Sequence, residues 1–200
     1  AGMRMFHAGG NAVDAGVAAL FAGAVTEYSH YGFGGEAPIL IRTKDGRVFS
    51  IAGVGTAPKL ATAEFFQNRR PTPEEVAAAR ERPGRDEGPI PSSGLLPALV
   101  PGMVDAALVA LERFGTKTFA EAVQPALELC DAAPMDEARS GSIARATRFF
   151  QRWPTSQRVF LPNGQPPRPG EIFSQPDLAR TVRSMIAAEK TARKGDRVAG

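Results

Sequence analysis

This 200-residue chain has few of the residues from which reactive sites are commonly built. It contains one cysteine and two histidines, so an internal disulfide is excluded and a zinc site, which needs a set of such ligands, is not expected. Cys130 stands in an apolar helical pattern without a nearby histidine or cation, which favours a buried structural thiol over a nucleophile. We expect His7 and His30 to make structural hydrogen bonds. The sequence therefore predicts no metal site and no cofactor.

Long hydrophobic runs and a strong net charge are also missing. No apolar stretch reaches the roughly 20 residues that a transmembrane helix needs, and no signal peptide is visible. The formal net charge is only +3. A basic cluster in residues 190–197 is typical of a solvated helix end, because nucleic-acid binders concentrate charge on one face. We predict neither a membrane span nor a nucleic-acid partner, and the sequence is compatible with a cytoplasmic or a periplasmic/secreted location.

The first part of the chain combines a small-residue helix with predicted strands. Asn11 and Asp14 form a capping pattern before a helix built almost entirely of alanine and glycine, which suits close packing. Two strands at residues 38–42 and 47–52 flank an Asp-Gly turn, the signature of a hairpin. A third short strand is predicted at residues 95–100. The remaining predicted helices begin near Thr62, Thr72, Met103, Thr118, Asp136 and Pro176.

The predicted boundaries of these helices define the second half of the chain. The helix from Thr72 is expected to end near residue 82, and residues 83–94 are expected to be a surface connection. The later helices are predicted at residues 103–114, 118–132, 136–152 and 176–190. Strands early and helices later indicate an α+β fold.

Three local patterns have alternative interpretations that the sequence disfavours. Residues 32–37 match G-x-G-x-x-[GA], but a helix precedes them and a strand follows, the reverse of a dinucleotide site. Ser29 and His30 are adjacent on an extended chain and so point to opposite faces, which argues against a nucleophile and its base. Glu27 and Glu36 could form a carboxylate pair; solvated or loop-stabilising roles are the preferred interpretation.

Five segments, in a fixed order, resemble the gamma-glutamyltranspeptidase family over nearly the whole chain. They are GGNAVDAGVAAL at residues 9–20, GFGGEAPIL at 32–40, TAP at 56–58, LVPG at 99–102, and FLPNG at 160–164 leading to QPDLA at 175–179. The resemblance implies a four-layer αββα sandwich of the N-terminal nucleophile hydrolase type. It identifies residues 1–200 as a single-domain fragment of the large subunit. We expect the fragment to be truncated at its N-terminal end and at its C-terminal end.

The resemblance also implies a reaction and a partner. Proteins of this family cut themselves, and the cut frees an N-terminal threonine on the small subunit, whose α-amino group is the base for its own hydroxyl. An acyl-enzyme forms, and water or an amine then takes the acyl group. By this resemblance the catalytic residues lie outside this chain, and Gly34 and Gly35 are not the oxyanion hole. The implied partners are the small subunit of the same precursor and a small-molecule amide substrate.

Two departures from the family pattern concern the substrate. The segment Gly53, Val54, Gly55 and Thr56 corresponds to the substrate-side loop, where the family usually places an arginine that holds the glutamyl α-carboxylate. Val54 stands in its place and cannot form a charge-assisted pair.

The glycine-rich segment is the second departure. Glu36 and Ala37 replace two of its glycines, and Pro38 replaces an aromatic residue. The preferred hypothesis is an amidohydrolase or acyltransferase with another acyl substrate. The alternatives are true gamma-glutamyl transfer with Arg42 or Arg47 as the cation, and a catalytically inactive structural homologue.

Overall fold

The computed structural model describes residues 1–27, 30–76, 89–91 and 93–191. Its helices are α1 (Gly2–His7), α2 (Ala12–Thr26), α3 (Ala63–Asn68), α4 (Met103–Phe114), α5 (Phe119–Asp131), α6 (Glu137–Arg145), α7 (Thr147–Gln151), α8 (Pro154–Phe160) and α9 (Pro176–Thr191). Its strands are β1 (Ile39–Arg42), β2 (Val48–Ile51), β3 (Ala133–Pro134) and β4 (Ile172–Phe173). Each sheet is an antiparallel pair, β1 with β2 and β3 with β4. This mixture confirms the α+β class.

The small-residue helix α2 begins where the sequence predicts. The side chain of Asn11 accepts hydrogen bonds from the backbone N–H groups of Val13 and Asp14, and the Asp14 carboxylate accepts one from the backbone of Asn11. The Asn11 amide also donates to the carbonyl of Phe114 at 2.7 Å. The cap therefore fixes the start of α2 and ties it to the end of α4.

Helix α2 forms the centre of the core. Helices α1, α4 and α5 pack against it, and α9 packs against α5. Alanine and glycine allow this crowding: a Cβ at Gly2 would lie 3.0 Å from the carbonyl oxygen of Ala15. Phe21 is fully buried, and its ring lies 5.3 Å from that of Phe33 and 5.6 Å from that of Phe119. The predicted role of α2 as a closely packed core helix is confirmed.

The first turn of α5 is capped by two carboxylates from different parts of the chain. Thr118 and Glu121 form the predicted capping box. Glu189 of α9 accepts hydrogen bonds from the backbone N–H groups of Phe119 and Ala120, at 2.7 and 2.9 Å. Because these N–H groups have no partner within the helix, the long-range cap stabilises α5 and holds α9 against it.

The hairpin β1–β2 has the predicted turn and a register that places its ends. Ile39 pairs with Ile51, and Arg42 pairs with Val48 next to the turn. Gly46 adopts φ 86°, which the Asp-Gly turn requires. Ile41 is buried beneath the sheet, whereas Leu40 and Val48 are exposed. The hairpin thus runs from its turn towards residues 53–56.

Several predicted elements differ from the structure. Residues 95–100 are not a strand: they begin with a bend and a turn, and Val100 alone pairs with Thr56 as an isolated bridge. Leu95 is 85% exposed, so the apolar composition of this segment does not reflect a buried strand. The helix predicted at residues 136–152 breaks at Ala146 into α6 and α7.

Other differences concern elements that the sequence analysis missed or that fall outside the described residues. Helix α8 and the pair β3–β4 were not predicted. The strands of this pair have two residues each, which is too short for a periodic pattern. Thr72 and Glu75 form the expected capping box at the start of residues 73–76, which are helical. The remainder of that predicted helix, and the predicted connection up to residue 88, lie outside the described residues.

Candidate functional site

The candidate substrate loop, residues 53–56, begins at a glycine that no other residue can replace without strain. Gly53 has φ 52°, in the left-handed region. Its carbonyl oxygen accepts a hydrogen bond from the backbone N–H of Ala37 at 2.9 Å. A Cβ at this position would lie 2.0 Å from the carbonyl oxygen of Ala37. The loop therefore turns away from β2 in direct backbone contact with the glycine-rich segment.

Gly55 and Thr56 hold the other end of the loop. The backbone N–H of Gly55 donates to Glu36 Oε1 at 2.9 Å, which confirms the loop-stabilising role expected for Glu36. The backbone N–H of Val100 donates to the carbonyl oxygen of Thr56 at 2.8 Å. A Cβ at Gly55 would lie 2.7 Å from the Val100 carbonyl oxygen. Residues 53–56 are thus clamped between two other segments.

The start of helix α4 lies beneath this clamp. The backbone N–H groups of Gly102 and Met103 donate to the carbonyl oxygen of Gly35 at 3.1 and 3.0 Å. A Cβ at Gly102 would lie 2.6 Å from the carbonyl oxygen of Gly53. This contact was not predicted from the sequence, although the Pro-Gly pair before the helix marks its position. Gly35 therefore has a structural role in joining the glycine-rich segment to α4.

The side chain that the loop presents is aliphatic. Val54 is 52% exposed, so it is available to a molecule that approaches the loop. The two predicted alternative cations lie at the opposite end of the hairpin: Arg42 pairs across from Val48, and Arg47 contacts Asp45 at 2.6 Å and lies over the Phe49 ring. The Arg42 guanidinium lies beside Gly46 of the turn, 3.8 Å from the position of a Cβ there, so both guanidinium groups belong to the turn end of the hairpin and not to the Val54 loop.

The two carboxylates considered as a pair have separate partners. Glu27 contacts Arg139, which also pairs with Asp136. The Glu27 carboxylate also lies 3.5 Å from His30 Nδ1. Glu36 binds the backbone at Gly55. The structure therefore gives each carboxylate a structural contact of its own, the interpretation that the sequence favours.

The other predicted reactive side chains have different surroundings. Cys130 is fully buried, and burial, with a smaller contribution from Asp131, raises the pKa of its thiol to about 11. This agrees with the predicted structural thiol. His30 contacts Glu27, as expected for a structural histidine. His7 is exposed in α1, and within the described residues its imidazole makes no hydrogen bond, so that expectation was wrong for His7.

Two cavities border the hairpin and the loop. One, of about 360 Å³, opens beside Ala57 and Pro58 and is lined by apolar side chains such as Phe66 and Leu99, with Gln67 as the polar member. The other, of about 440 Å³, lies between α2 and β1. Both volumes fall in the range of small-molecule sites. The first cavity continues the candidate substrate loop.

The described part of the chain offers neither a cluster of metal ligands nor a membrane-spanning helix. Across the described ranges, no group of three or more histidine, cysteine, aspartate or glutamate side chains is arranged to hold a metal ion. No helix in that same part of the chain has the length and apolarity needed to cross a membrane.

Comparison with known proteins relates this geometry to one family. The family model described as "Gamma-glutamyltranspeptidase" matches residues 1–193. The "Acylase ACY 1 proenzyme" of Pseudomonas sp. (strain V22) is 35% identical over 190 residues, covering 94% of this chain and 33% of that protein. The "Glutathione hydrolase proenzyme" of Pseudomonas sp. (strain A14) is 31% identical over 192 residues, covering 95% of this chain and 31% of that protein.

A solved structure gives the same relationship at the level of the fold. The crystal structure of Helicobacter pylori gamma-glutamyltranspeptidase aligns with a TM-score of 0.80 and 25% identity, covering 94% of this chain and 50% of that chain. The present chain spans about a third of the length of the curated relatives it matches.

Proposed function

Because this chain belongs to the gamma-glutamyltranspeptidase family, we propose that it is the scaffold and substrate-pocket part of a self-processing amidohydrolase or acyltransferase. Its fold is the N-terminal nucleophile hydrolase fold expected from the sequence resemblance. We propose that residues 1–200 form a single-domain portion of the large subunit. The observation that carries the proposal is the loop of residues 53–56, which backbone contacts hold on two sides while Val54 stays exposed.

The proposed chemistry requires a partner from the same precursor. The small subunit would supply an N-terminal threonine whose hydroxyl attacks the carbonyl carbon of an amide, while its α-amino group accepts the hydroxyl proton. The amine of the substrate would then leave with a proton, and an ester would remain on the threonine. Water would complete hydrolysis, and an amine would complete transfer. In this scheme the present chain contributes no reacting atom; its loop forms one wall of the pocket.

We further propose that the acyl group is not gamma-glutamyl. An α-carboxylate is best recognised by a guanidinium that forms two parallel hydrogen bonds with it, and the exposed side chain on this loop is Val54. The acylase and the glutathione hydrolase among the relatives are both named as proenzymes, which supports self-processing and leaves both acyl classes represented. The aliphatic loop favours the acylase-like alternative.

The alternative of true gamma-glutamyl transfer depends on a replacement cation. Arg42 and Arg47 lie near the hairpin turn, at the far end from the loop, which counts against both. The alternative of an inactive homologue would leave the clamp of Gly53 without a role beyond folding. We prefer the active enzyme because backbone contacts hold the loop while Val54 stays exposed to a ligand.

The test uses the full-length, processed protein and two anilide substrates, gamma-glutamyl and butyryl. We expect turnover of butyryl anilide to exceed that of gamma-glutamyl anilide at least tenfold. Val54→Arg should shift this ratio towards gamma-glutamyl. Val48→Arg, which changes a 64% exposed valine at the turn end of the hairpin, is the matched control and should leave the ratio unchanged. Faster turnover of gamma-glutamyl anilide by the unmodified protein would contradict the substrate proposal.

A further inference from the structure

We infer that Glu36 sets the charge preference of the loop of residues 53–56, so that the site disfavours acyl groups bearing a carboxylate and favours neutral or cationic ones. This inference rests on the proposed function. It goes beyond the replacement of arginine by Val54, because a neutral loop would merely fail to attract an anion. A fixed carboxylate beside the loop repels one.

Glu36 is held beside the loop by its own contact and by those of its neighbours. Its Oε1 accepts a hydrogen bond from the N–H of Gly55, the residue after Val54, at 2.9 Å. On one side, the carbonyl oxygen of Gly35 is bound by the first residues of α4, and on the other, the N–H of Ala37 is bound to Gly53. The position of this charge is therefore fixed by backbone contacts as well as by the side chain.

The second oxygen of the Glu36 carboxylate is available to a ligand. Glu36 is exposed, and in the ranges that the structure describes its Oε2 has no hydrogen bond or ion pair. One oxygen therefore secures the loop, while the exposed carboxylate places a negative charge next to Gly55, the residue that follows Val54. A carboxylate can accept a hydrogen bond from an ammonium or a guanidinium of a ligand.

Among the residues that the structure describes, the other charges near the loop do not cancel that of Glu36. Arg42 and Arg47 lie at the turn end of the hairpin, and Arg47 is paired with Asp45. Lys59 is exposed, follows Pro58, and makes no ion pair within the described part of the chain. No backbone contact joins Lys59 to the loop. Its flexible side chain therefore gives a weaker local field than the anchored carboxylate.

The experiment compares charge on otherwise similar substrates of the full-length, processed protein. The probes are the 4-nitroanilides of glutaric, pentanoic and 5-aminopentanoic acids, whose acyl ends are anionic, neutral and cationic. We expect kcat/KM for the glutaryl substrate to be about tenfold lower than for the pentanoyl substrate, which corresponds to unit charges roughly 10 Å apart at an effective dielectric constant slightly above that of a protein surface. Glu36→Gln keeps an oxygen that accepts from Gly55 and removes the charge, and it should reduce this difference at least threefold.

Controls separate the charge effect from loss of structure. Glu112→Gln makes the same change at an exposed site on α4, ten residues beyond Gly102 and so about 15 Å along the helix axis; the substrate ratio should not move. Lys59→Gln should lower glutaryl turnover only slightly. The charge preference should weaken in 0.5 M salt, because screening reduces interactions between exposed charges.

The outcomes separate this inference from the function on which it rests. Turnover of all three substrates at equal kcat/KM, or an unchanged ratio in Glu36→Gln, overturns the role of Glu36 and leaves the acylase proposal intact. Absence of turnover of all three substrates and of the gamma-glutamyl and butyryl anilides by protein that has split into two chains overturns both. A smaller ratio in Glu36→Gln, with Glu112→Gln unchanged, supports the inference.

Discussion

Replacement of Asp14 by asparagine should be among the most destabilising single changes in this chain. Asp14 has no exposed surface. Its Oδ1 accepts hydrogen bonds from the backbone N–H groups of Thr116 and Lys117, and its Oδ2 accepts from the backbone of Asn11 and from the Thr116 hydroxyl. One carboxylate thereby joins the start of α2 to the connection between α4 and α5.

The magnitude follows from what asparagine cannot do. Its amide has one acceptor oxygen, so its NH₂ group must face two of the donors that the second carboxylate oxygen now serves. The Thr116 hydroxyl can turn to accept from the NH₂, but a backbone N–H cannot. Lost charge-assisted hydrogen bonds and one unsatisfied buried donor together cost about 3 kcal/mol. At about 2 °C per kcal/mol for a chain of this size or larger, the thermal midpoint should fall by about 6 °C.

The pH dependence gives an independent test of the same contacts. Burial by itself raises the pKa of Asp14, but the hydrogen bonds outweigh burial and the pKa lies below its ordinary value of 3.8. A carboxyl whose pKa falls on folding stabilises the protein fully above the unfolded value, and this contribution is lost as pH falls through the folded value. The difference between unmodified protein and Asp14→Asn should therefore be constant from pH 7 to about pH 5 and shrink below about pH 4.

The assay is thermal unfolding of the full-length protein followed by circular dichroism. The control is Glu112→Gln, which also removes one carboxylate charge but at an exposed position. It should shift the thermal midpoint by less than 1 °C. A similarly small shift in Asp14→Asn, or a difference that persists undiminished at pH 3, would refute the reasoning from the buried carboxylate.

Three further changes test other contacts. Gly53→Ala should cost more than about 3 kcal/mol, because it combines a positive φ with a Cβ 2.0 Å from the Ala37 carbonyl oxygen; protein that melts within 2 °C of the unmodified form would contradict the loop geometry. Cys130, whose thiol pKa is raised to about 11 by burial, should react with a thiol reagent at pH 8 only in denaturant, and rapid labelling of native protein would contradict its burial. Glu189→Ala should destabilise by about 1 to 2 kcal/mol, because it removes the cap on the first turn of α5; a chemical-denaturation midpoint equal to that of Glu112→Gln would argue against the cap.

Local sequence signals predicted those features that depend on neighbouring residues. The cap at Asn11, the Asp-Gly hairpin turn and the capping box at Thr118 were all foreseen, because each is specified within four residues. The same locality explains the failures. Residues 95–100 are apolar, but a strand needs a partner along its length, and only Val100 has one.

The candidate site shows the same division between local and long-range information. The family resemblance indicated the loop at residues 53–56 and the replacement of an arginine by Val54. The structure shows which contacts hold the loop. The contacts of Gly53 with Ala37 and of Gly102 with Gly35 join segments far apart in sequence, and no periodicity reports them. The cap of α5 by Glu189 was unforeseen for the same reason.

Self-cleavage of the full-length precursor is the most direct test of the central claim that this chain is the pocket-bearing part of a self-processing enzyme. The measurement is intact mass spectrometry of purified protein during storage, with N-terminal sequencing of any new fragment. We expect two chains whose masses sum to that of the precursor, the smaller beginning with threonine. A precursor that stays in one piece, or a cut that leaves a different residue at the new N-terminus, would contradict the claim.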